Sequence, residues 1–373
     1  MNKPNVIVLT VDMVRSDMLG RFPTFEKLKK KGVLFSEMIT YAPYTIASLH
    51  AIFTGLYGKD TNVDGYFKPV KFEKEKCITL PQYFQKSGYY TEGDIMADLT
   101  VPHQGFDKLS VHDEHKDDLL ERHRQIIDSA VKLNKKFFLY LHYSNIHTEI
   151  VKNVIRKYTD FDENYFGRLE ENLGRYEEYV KKACDYLEGI IDTINRNNLW
   201  EDTLFVILSD HGCGIGEKPG EKAYGIYTYD YSIKTFCFFI YEKLLPKGRD
   251  IAVQTRSVDI MPTILDILNI QQSNTYKRMA GASLMDMISG KETADRIAFS
   301  ETGGLEGPYP SPYSPNVKCI RSKKWKLIYN SSTKKKELYD LENDPQEENN
   351  CIDKYPETAA KMWERLVENT KEI

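Results

Sequence analysis

The chain has 373 residues, with 51 Lys+Arg against 55 Asp+Glu, a formal net charge of −4 and 41% hydrophobic residues. This length can bury a large core, and the near balance of charge leaves no basic stripe, which excludes nucleic acid as an expected partner. No apolar run approaches the roughly 18 residues of a membrane-spanning helix. The six cysteines (Cys77, Cys184, Cys213, Cys237, Cys319, Cys351) form no CxxC pair, so reduced thiols and a cytoplasmic location are expected.

In chain order, Asn5–Val11 (NVIVLTV) is a continuous apolar, β-branched run, as expected of a strand buried on both faces. Helical patterns follow at 24–31 and 46–56 and, further on, at 117–133. A second buried strand is predicted at 137–141 (FFLYL), then a long helix from about 168 to 197 and a third strand at 204–208 (LFVIL). A fourth strand candidate lies at 235–241 and an amphipathic helix at 258–268. Strands alternating with helices predict an α/β fold with a mostly parallel, doubly wound sheet over residues 1–300. The composition then shifts. The Gly- and Pro-rich stretch 303–315 is incompatible with a regular element. Short strands at 317–321, 325–329 and 336–341 and a closing helix at 357–367 predict a small C-terminal α+β subdomain over 301–373. Its Lys334-Lys335-Lys336 run reads as a solvated turn.

In open α/β sheets, ligands bind beyond the carboxyl ends of the strands. The first strand ends in Asp12, the second in His142 with His147 five residues on, and the third in Asp210-His211-Gly212. Three strand ends thus deliver carboxylates and imidazoles to one edge, a donor set suited to a divalent metal. Thr45 stands at the start of a helix, where free N–H groups and the dipole favour an anion, and it is the candidate nucleophile, with Ser48 as its nearby competitor. His50 is expected to pack against a neighbour. His103, His112, His115 and His123 lie in polar stretches expected to be exposed and take no role. The GPYPSPY loop and the region 224–231 could line a substrate pocket.

Taken together, these segments resemble the sulfatase branch of the alkaline phosphatase superfamily. The stretch 5–20 resembles its first strand and metal-binding Asp, and 41–58 its nucleophile helix with a T-G-x-Y ending. FFLYLHYSNIHT resembles the segment carrying its active-site His, LSDHG its second metal motif, SVDIMPTILDILNI a family helix, and ELYDLENDP its C-terminal signature. The resemblance implies an alkaline-phosphatase-like fold. At the nucleophile, where the family carries C-x-P-x-R or S-x-P-x-R, this chain reads TIASL, with Thr45 first, Ala47 for Pro and Leu49 for Arg. The paired Asp of the first strand end is Asp12-Met13 here, which removes one oxygen ligand.

A Thr nucleophile resembles the phosphoryl-transfer members, so the expectation is a metal-dependent phosphate-ester (phosphodiesterase-like) hydrolase. In that reading Thr45 attacks phosphorus through a covalent intermediate. Asp12, Thr45, Asp210 and His211 hold one divalent ion, manganese or zinc rather than calcium. His147 binds a non-bridging oxygen or protonates the leaving group, and Lys218 and Lys222 in GEKPGEKAYG offset phosphoryl charge. The substrate would be a small-molecule or a glycan- or lipid-derived ester. The alternatives are a sulfuric ester hydrolase or a phospho-group transferase acting on a glycan or lipid.

Overall fold

The computed structural model of the chain describes residues 3–65, 71–303 and 315–370. The main sheet is built from β1 (Asn5–Val11), β2 (Val33–Ile39), β3 (Tyr90–Ile95), β4 (Lys108–Val111), β5 (Phe137–Tyr143), β6 (Thr203–Leu208), β7 (Lys234–Ile240), β8 (Arg249–Ile251) and β9 (Thr255–Arg256). Its order is β4-β3-β5-β1-β6-β7-β2-β8, with β9 also on β2. Pairing is parallel except along β7, which runs antiparallel to both β6 and β2.

β1 shows why such a run must be a central strand. All seven residues are buried, and successive side chains enter opposite cores: Ile7, Leu9 and Val11 on one face, Val6 and Val8 on the other. β5 divides in the same way, with Leu139 and Leu141 opposed to Phe138 and Tyr140, as does β6. The helix Leu169–Arg196 covers the first face through Val180, Leu187 and Ile190. The helix Ile260–Ile267 covers the second, with Leu49, Ile52 and Phe53 of the helix Thr45–Thr54.

The C-terminal sheet is antiparallel, in the order β10 (Ala298–Thr302), β11 (Val317–Arg321), β12 (Trp325–Asn330), β13 (Lys335–Asp340). It opens astride residue 300, with β10, whose AFSET pattern carries no long apolar run and so no strand signal. The helix Pro356–Asn369 packs on it through Met362 and Leu366. The stretch 304–314, with its GPYPSPY residues, lies outside the described residues. β3 and β4 are strands without a strand pattern: YTEGDI and KLSV are polar, yet β3 is paired on both sides, and β2 is a further strand beyond those expected.

A buried ion network ties the two sheets together. Asp230, just before β7, meets Arg321 at 2.6 Å and the fully buried Lys326 at 2.9 Å, and Lys326 meets Glu347 at 2.8 Å. Glu347 in turn accepts the Asp230 backbone N–H at 2.6 Å. Removing the central cation leaves the buried Glu347 carboxylate without a cation while Asp230 keeps Arg321, so Lys326→Met is expected to lower the unfolding free energy by about 3 kcal/mol, read from urea denaturation.

Candidate metal centre and nucleophile

The parallel registers place three strand ends side by side. Thr10 lies opposite both His142 of β5 and Leu208 of β6, so the residues just beyond β1 and β6 meet at one edge of the sheet. Asp12 follows β1, its N–H bonded to the Tyr143 carbonyl at 3.1 Å. The next residue, Met13, is buried and has φ +64, a left-handed conformation costly for a side chain with a Cβ. It is held there by the Tyr176 hydroxyl, which donates to the Met13 carbonyl at 2.6 Å. Asp210, His211 and Gly212 follow β6. A Cβ at Gly212 would overlap the Tyr231 carbonyl oxygen, so this position requires glycine.

Asp12, Asp210 and His211 have no exposed surface, and one ligand atom from each lies within 4.8 Å of the others. None of the four carboxylate oxygens of Asp12 and Asp210 has a well-aligned hydrogen bond. His211 faces the Gly212 carbonyl through Nδ1 at 2.8 Å. A carbonyl only accepts, so Nδ1 carries the proton and Nε2 turns a lone pair inward, 3.3 Å from Asp12 and 3.8 Å from Asp210. Burial works to raise the Asp12 carboxyl, but the close approach of His142 at 3.4 Å and the charges of His211, His142 and His147 hold it at about 2. Burial and the Asp12 charge push Asp210 well above the usual range. Two adjacent buried carboxylates resist joint ionisation unless a cation sits between them, and oxygen with one imidazole is a divalent-metal donor set.

The helix Thr45–Thr54 brings the fourth group. Thr45 is its first residue; the capping position is Tyr44, which makes no side-chain cap. The Thr45 hydroxyl is therefore not spent on its own helix, and it stands 3.2 Å from His211 Nε2. Ser48, one turn on, is fully buried and donates to the Asp210 carbonyl at 2.6 Å, so it locks the helix to the metal turn.

His147 lies at the edge of this group, between Glu114, 3.2 Å from its Nδ1, and the Tyr224 hydroxyl, 2.9 Å from its Nε2. Lys218 and Lys222 are not brought to the cluster. The Lys222 ammonium is held by the carbonyls of Ile155 and Tyr158, each at 3.0 Å, and by Asp160 at 3.3 Å. Lys218 donates to the Glu347 carbonyl and lies over the Tyr229 ring. The turn after Gly216, whose φ is +105, leads both lysines away, a path that spacing alone did not reveal.

Three neighbours were not assigned from the sequence. His142 is fully buried, 3.4 Å from Asp12. Glu114 sits in a charged stretch without a motif, and Tyr224 begins the region 224–231, which the sequence marks as pocket lining without a role for any one tyrosine. His112 and His123, expected to be exposed, are buried. Both point at Asp94, at 2.9 and 3.1 Å, while Arg122 reaches the other Asp94 oxygen at 2.8 Å. Ser144 and Tyr186 occupy the remaining ring nitrogens. This second cluster is charge-balanced and closed, unlike the unsatisfied carboxylates of Asp12 and Asp210.

The "Sulfatase" family matches residues 4–270, and the family described as "N-sulphoglucosamine sulphohydrolase, C-terminal" matches residues 224–372. The chain belongs to the sulfatase family. A sulfatase of Formosa agariphila is 24% identical, the match covering 93% of this chain and 82% of that protein. An arylsulfatase of Clostridium perfringens is 25% identical, over 94% and 90%. A choline-sulfatase of Rhizobium meliloti is 29% identical over 52% of this chain but only 36% of its own length. Among solved structures, one in complex with its substrate D-glucosamine-2-N,6-O-disulfate has a TM-score of 0.77 at 16% identity, covering 99% of this chain and 98% of that one. A phosphonate monoester hydrolase of Agrobacterium radiobacter has a TM-score of 0.78 at 17% identity, covering 98% and 95%. These structures share the alkaline-phosphatase-like fold, and the chain is a hydrolase of that superfamily.

The relatives overturn the phosphate-ester expectation, because those matched along nearly the whole chain are sulfatases. The expectation rested on one side chain, Thr45. A hydroxyl beside a cation serves transfer of either tetrahedral oxyanion, so its identity does not distinguish sulfur from phosphorus. No helix among the described residues is long and apolar enough to cross a membrane.

Replacing Asp210 by Asn should stabilise the metal-free protein, because it removes one of two clashing carboxylates, while abolishing the response to cation. The wild type should gain about 2.7 kcal/mol at a divalent ion concentration of about 100 Kd, and the variant nothing, both read from thermal unfolding.

Proposed function

We propose that this sulfatase-family chain hydrolyses a sulfuric ester, with the Thr45 hydroxyl itself as nucleophile. The observation that carries this is the Thr45 hydroxyl, uncommitted to its helix and 3.2 Å from the inward lone pair of His211, beside two unsatisfied buried carboxylates. Asp12, Asp210 and His211, with Thr45, would hold one divalent ion, manganese or zinc in preference to calcium. The reason is that an imidazole is present and Met13 supplies no oxygen where a second carboxylate would favour the harder ion. When bound, that ion supplies Lewis acidity and lowers the cost of a threonine alkoxide.

Thr45 Oγ1 forms a bond to sulfur as the bridging S–O bond breaks, its own proton passing to water and the leaving oxygen taking one from the His147 side. Water then cleaves the sulfated threonine at sulfur, restoring the hydroxyl and releasing sulfate. The first turn of the Thr45 helix presents free N–H groups to the sulfuryl oxygens. The sulfated alcohol is a small molecule or a saccharide, in keeping with the choline-sulfatase and arylsulfatase among the relatives.

Thr45→Ala should abolish sulfate release while leaving the fold intact and Asp12, Asp210 and His211 still holding the ion, though more weakly, and full retained turnover would remove Thr45 from the nucleophile's place. The assay sets alkyl and aryl sulfates beside phosphate mono- and diesters, with added manganese, zinc or calcium. Faster cleavage of every phosphate ester would overturn the reading.

A further inference from the structure

We propose that Glu114, His147 and Tyr224 form a proton relay in which Tyr224 is the terminal donor to the leaving oxygen, His147 recharges it and Glu114 is a positioning residue. The inference rests on the sulfuric-ester reading and extends it to the side of the site opposite the nucleophile.

The geometry runs in one line. Glu114 Oε2 lies 3.2 Å from His147 Nδ1, and His147 Nε2 lies 2.9 Å from the Tyr224 hydroxyl. A carboxylate only accepts, so Nδ1 carries a proton and the imidazole is fixed in one orientation, its Nε2 turned to the phenol. Glu114 is itself fixed, since the same Oε2 accepts the Thr148 hydroxyl at 2.9 Å. The loop bearing Glu114 is pinned two residues earlier, where His112 reaches Ser144 at 2.9 Å, immediately before the helix Asn145–Ile150 that carries His147. The Tyr224 ring also lies 5.3 Å from the His211 ring, and His211 Nε2 is 3.2 Å from Thr45 Oγ1. The Tyr224 ring thus packs on the imidazole that the Thr45 hydroxyl touches, and its hydroxyl ends the chain of contacts that starts at Glu114.

The charges around His147 favour its protonated form. Burial alone lowers its basicity, but the bond to Glu114 and the negative charges of Asp12 and Glu114 outweigh it. In the imidazolium, Nε2–H donates to the Tyr224 oxygen, which leaves the phenolic O–H to point elsewhere. As the ester S–O bond breaks, the phenolic proton passes to the leaving alkoxide. The Nε2 proton restores the phenol, and the neutral imidazole regains its proton from water. Glu114 keeps the Nδ1 proton throughout, as the carboxylate of a catalytic triad does.

A relay that protonates the leaving group matters only when that group is basic, and this separates it from a structural role. In Tyr224→Phe, kcat for an alkyl sulfate should fall ~100-fold or more, while 4-nitrophenyl sulfate, whose leaving group needs no proton, should change less than about 3-fold. Glu114→Gln should show the same split, smaller in size, with KM unchanged. Equal losses on both substrates, or no loss on the alkyl sulfate, would overturn the relay.

Imidazole nitrogen NMR tests it independently of turnover. The His147 Nδ1–H resonance should be strongly deshielded in the wild type and move upfield in Glu114→Gln. The Nε2 shift should change in Tyr224→Phe, and unchanged shifts in both variants would refute the relay. If the wild type cleaves no sulfate ester, the sulfuric-ester reading fails, and these spectra still decide whether the three groups are linked.

Discussion

Two carboxylates, Asp12 and Asp210, are buried next to each other without the hydrogen bonds that buried anions require. Most other features of this site follow from that arrangement. A pair of this kind is a standing electrostatic cost, tolerated where a cation offsets it and the surroundings keep the groups from rotating apart. The surroundings here do so on several sides. The Tyr176 hydroxyl holds the left-handed turn after Asp12, Ser48 holds the Asp210 carbonyl, and Gly212 lets the chain pass under Tyr231. The Gly212 carbonyl sets the His211 tautomer, so the one imidazole of the cluster presents a lone pair rather than a proton.

The same strand edge supports a second polar cluster, and the contrast between the two is instructive. Asp94 is as buried as Asp12, yet both of its oxygens and all four ring nitrogens of His112 and His123 are partnered. Such a closed network rigidifies its region and needs no cation. It pins the loop and the helix start from which Glu114 and His147 reach the site. One cluster serves as scaffold and the other offers unsatisfied donors, although they draw on the same residue types.

Family membership and residue-level chemistry constrain different things. Shared fold and extended similarity with sulfatases point to the sulfuryl group. The local set, with a threonine at the head of the helix, Met13 after Asp12 and Leu49 in place of an arginine, shapes how this chain would handle that group. With no arginine at that position, anion charge would fall to the helix terminus, the cation site and the His147 side. Lys218 and Lys222, the cations that follow the Asp210-His211 turn, are held elsewhere.

The sequence by itself determined the central strands, because a strand buried on both faces must be apolar at every position, and NVIVLTV, FFLYL and LFVIL satisfy this visibly. It determined which residues follow those strands, and hence Asp12, Asp210 and His211, because parallel strands deliver their carboxyl ends to one edge. It also exposed Thr45 through the helix that begins there. The edge strand β4 and its neighbour β3 stayed hidden because a polar, short strand has no distinctive period, and pairing rather than pattern makes it a strand. Only the tertiary structure decided that Lys218 and Lys222 turn away, that His112 and His123 are buried, and that Glu114 and Tyr224 flank His147. Those contacts join residues 33 and 77 positions from His147. Separations of that size carry no local signal, since they are fixed by the packing of loops from different crossovers against one another.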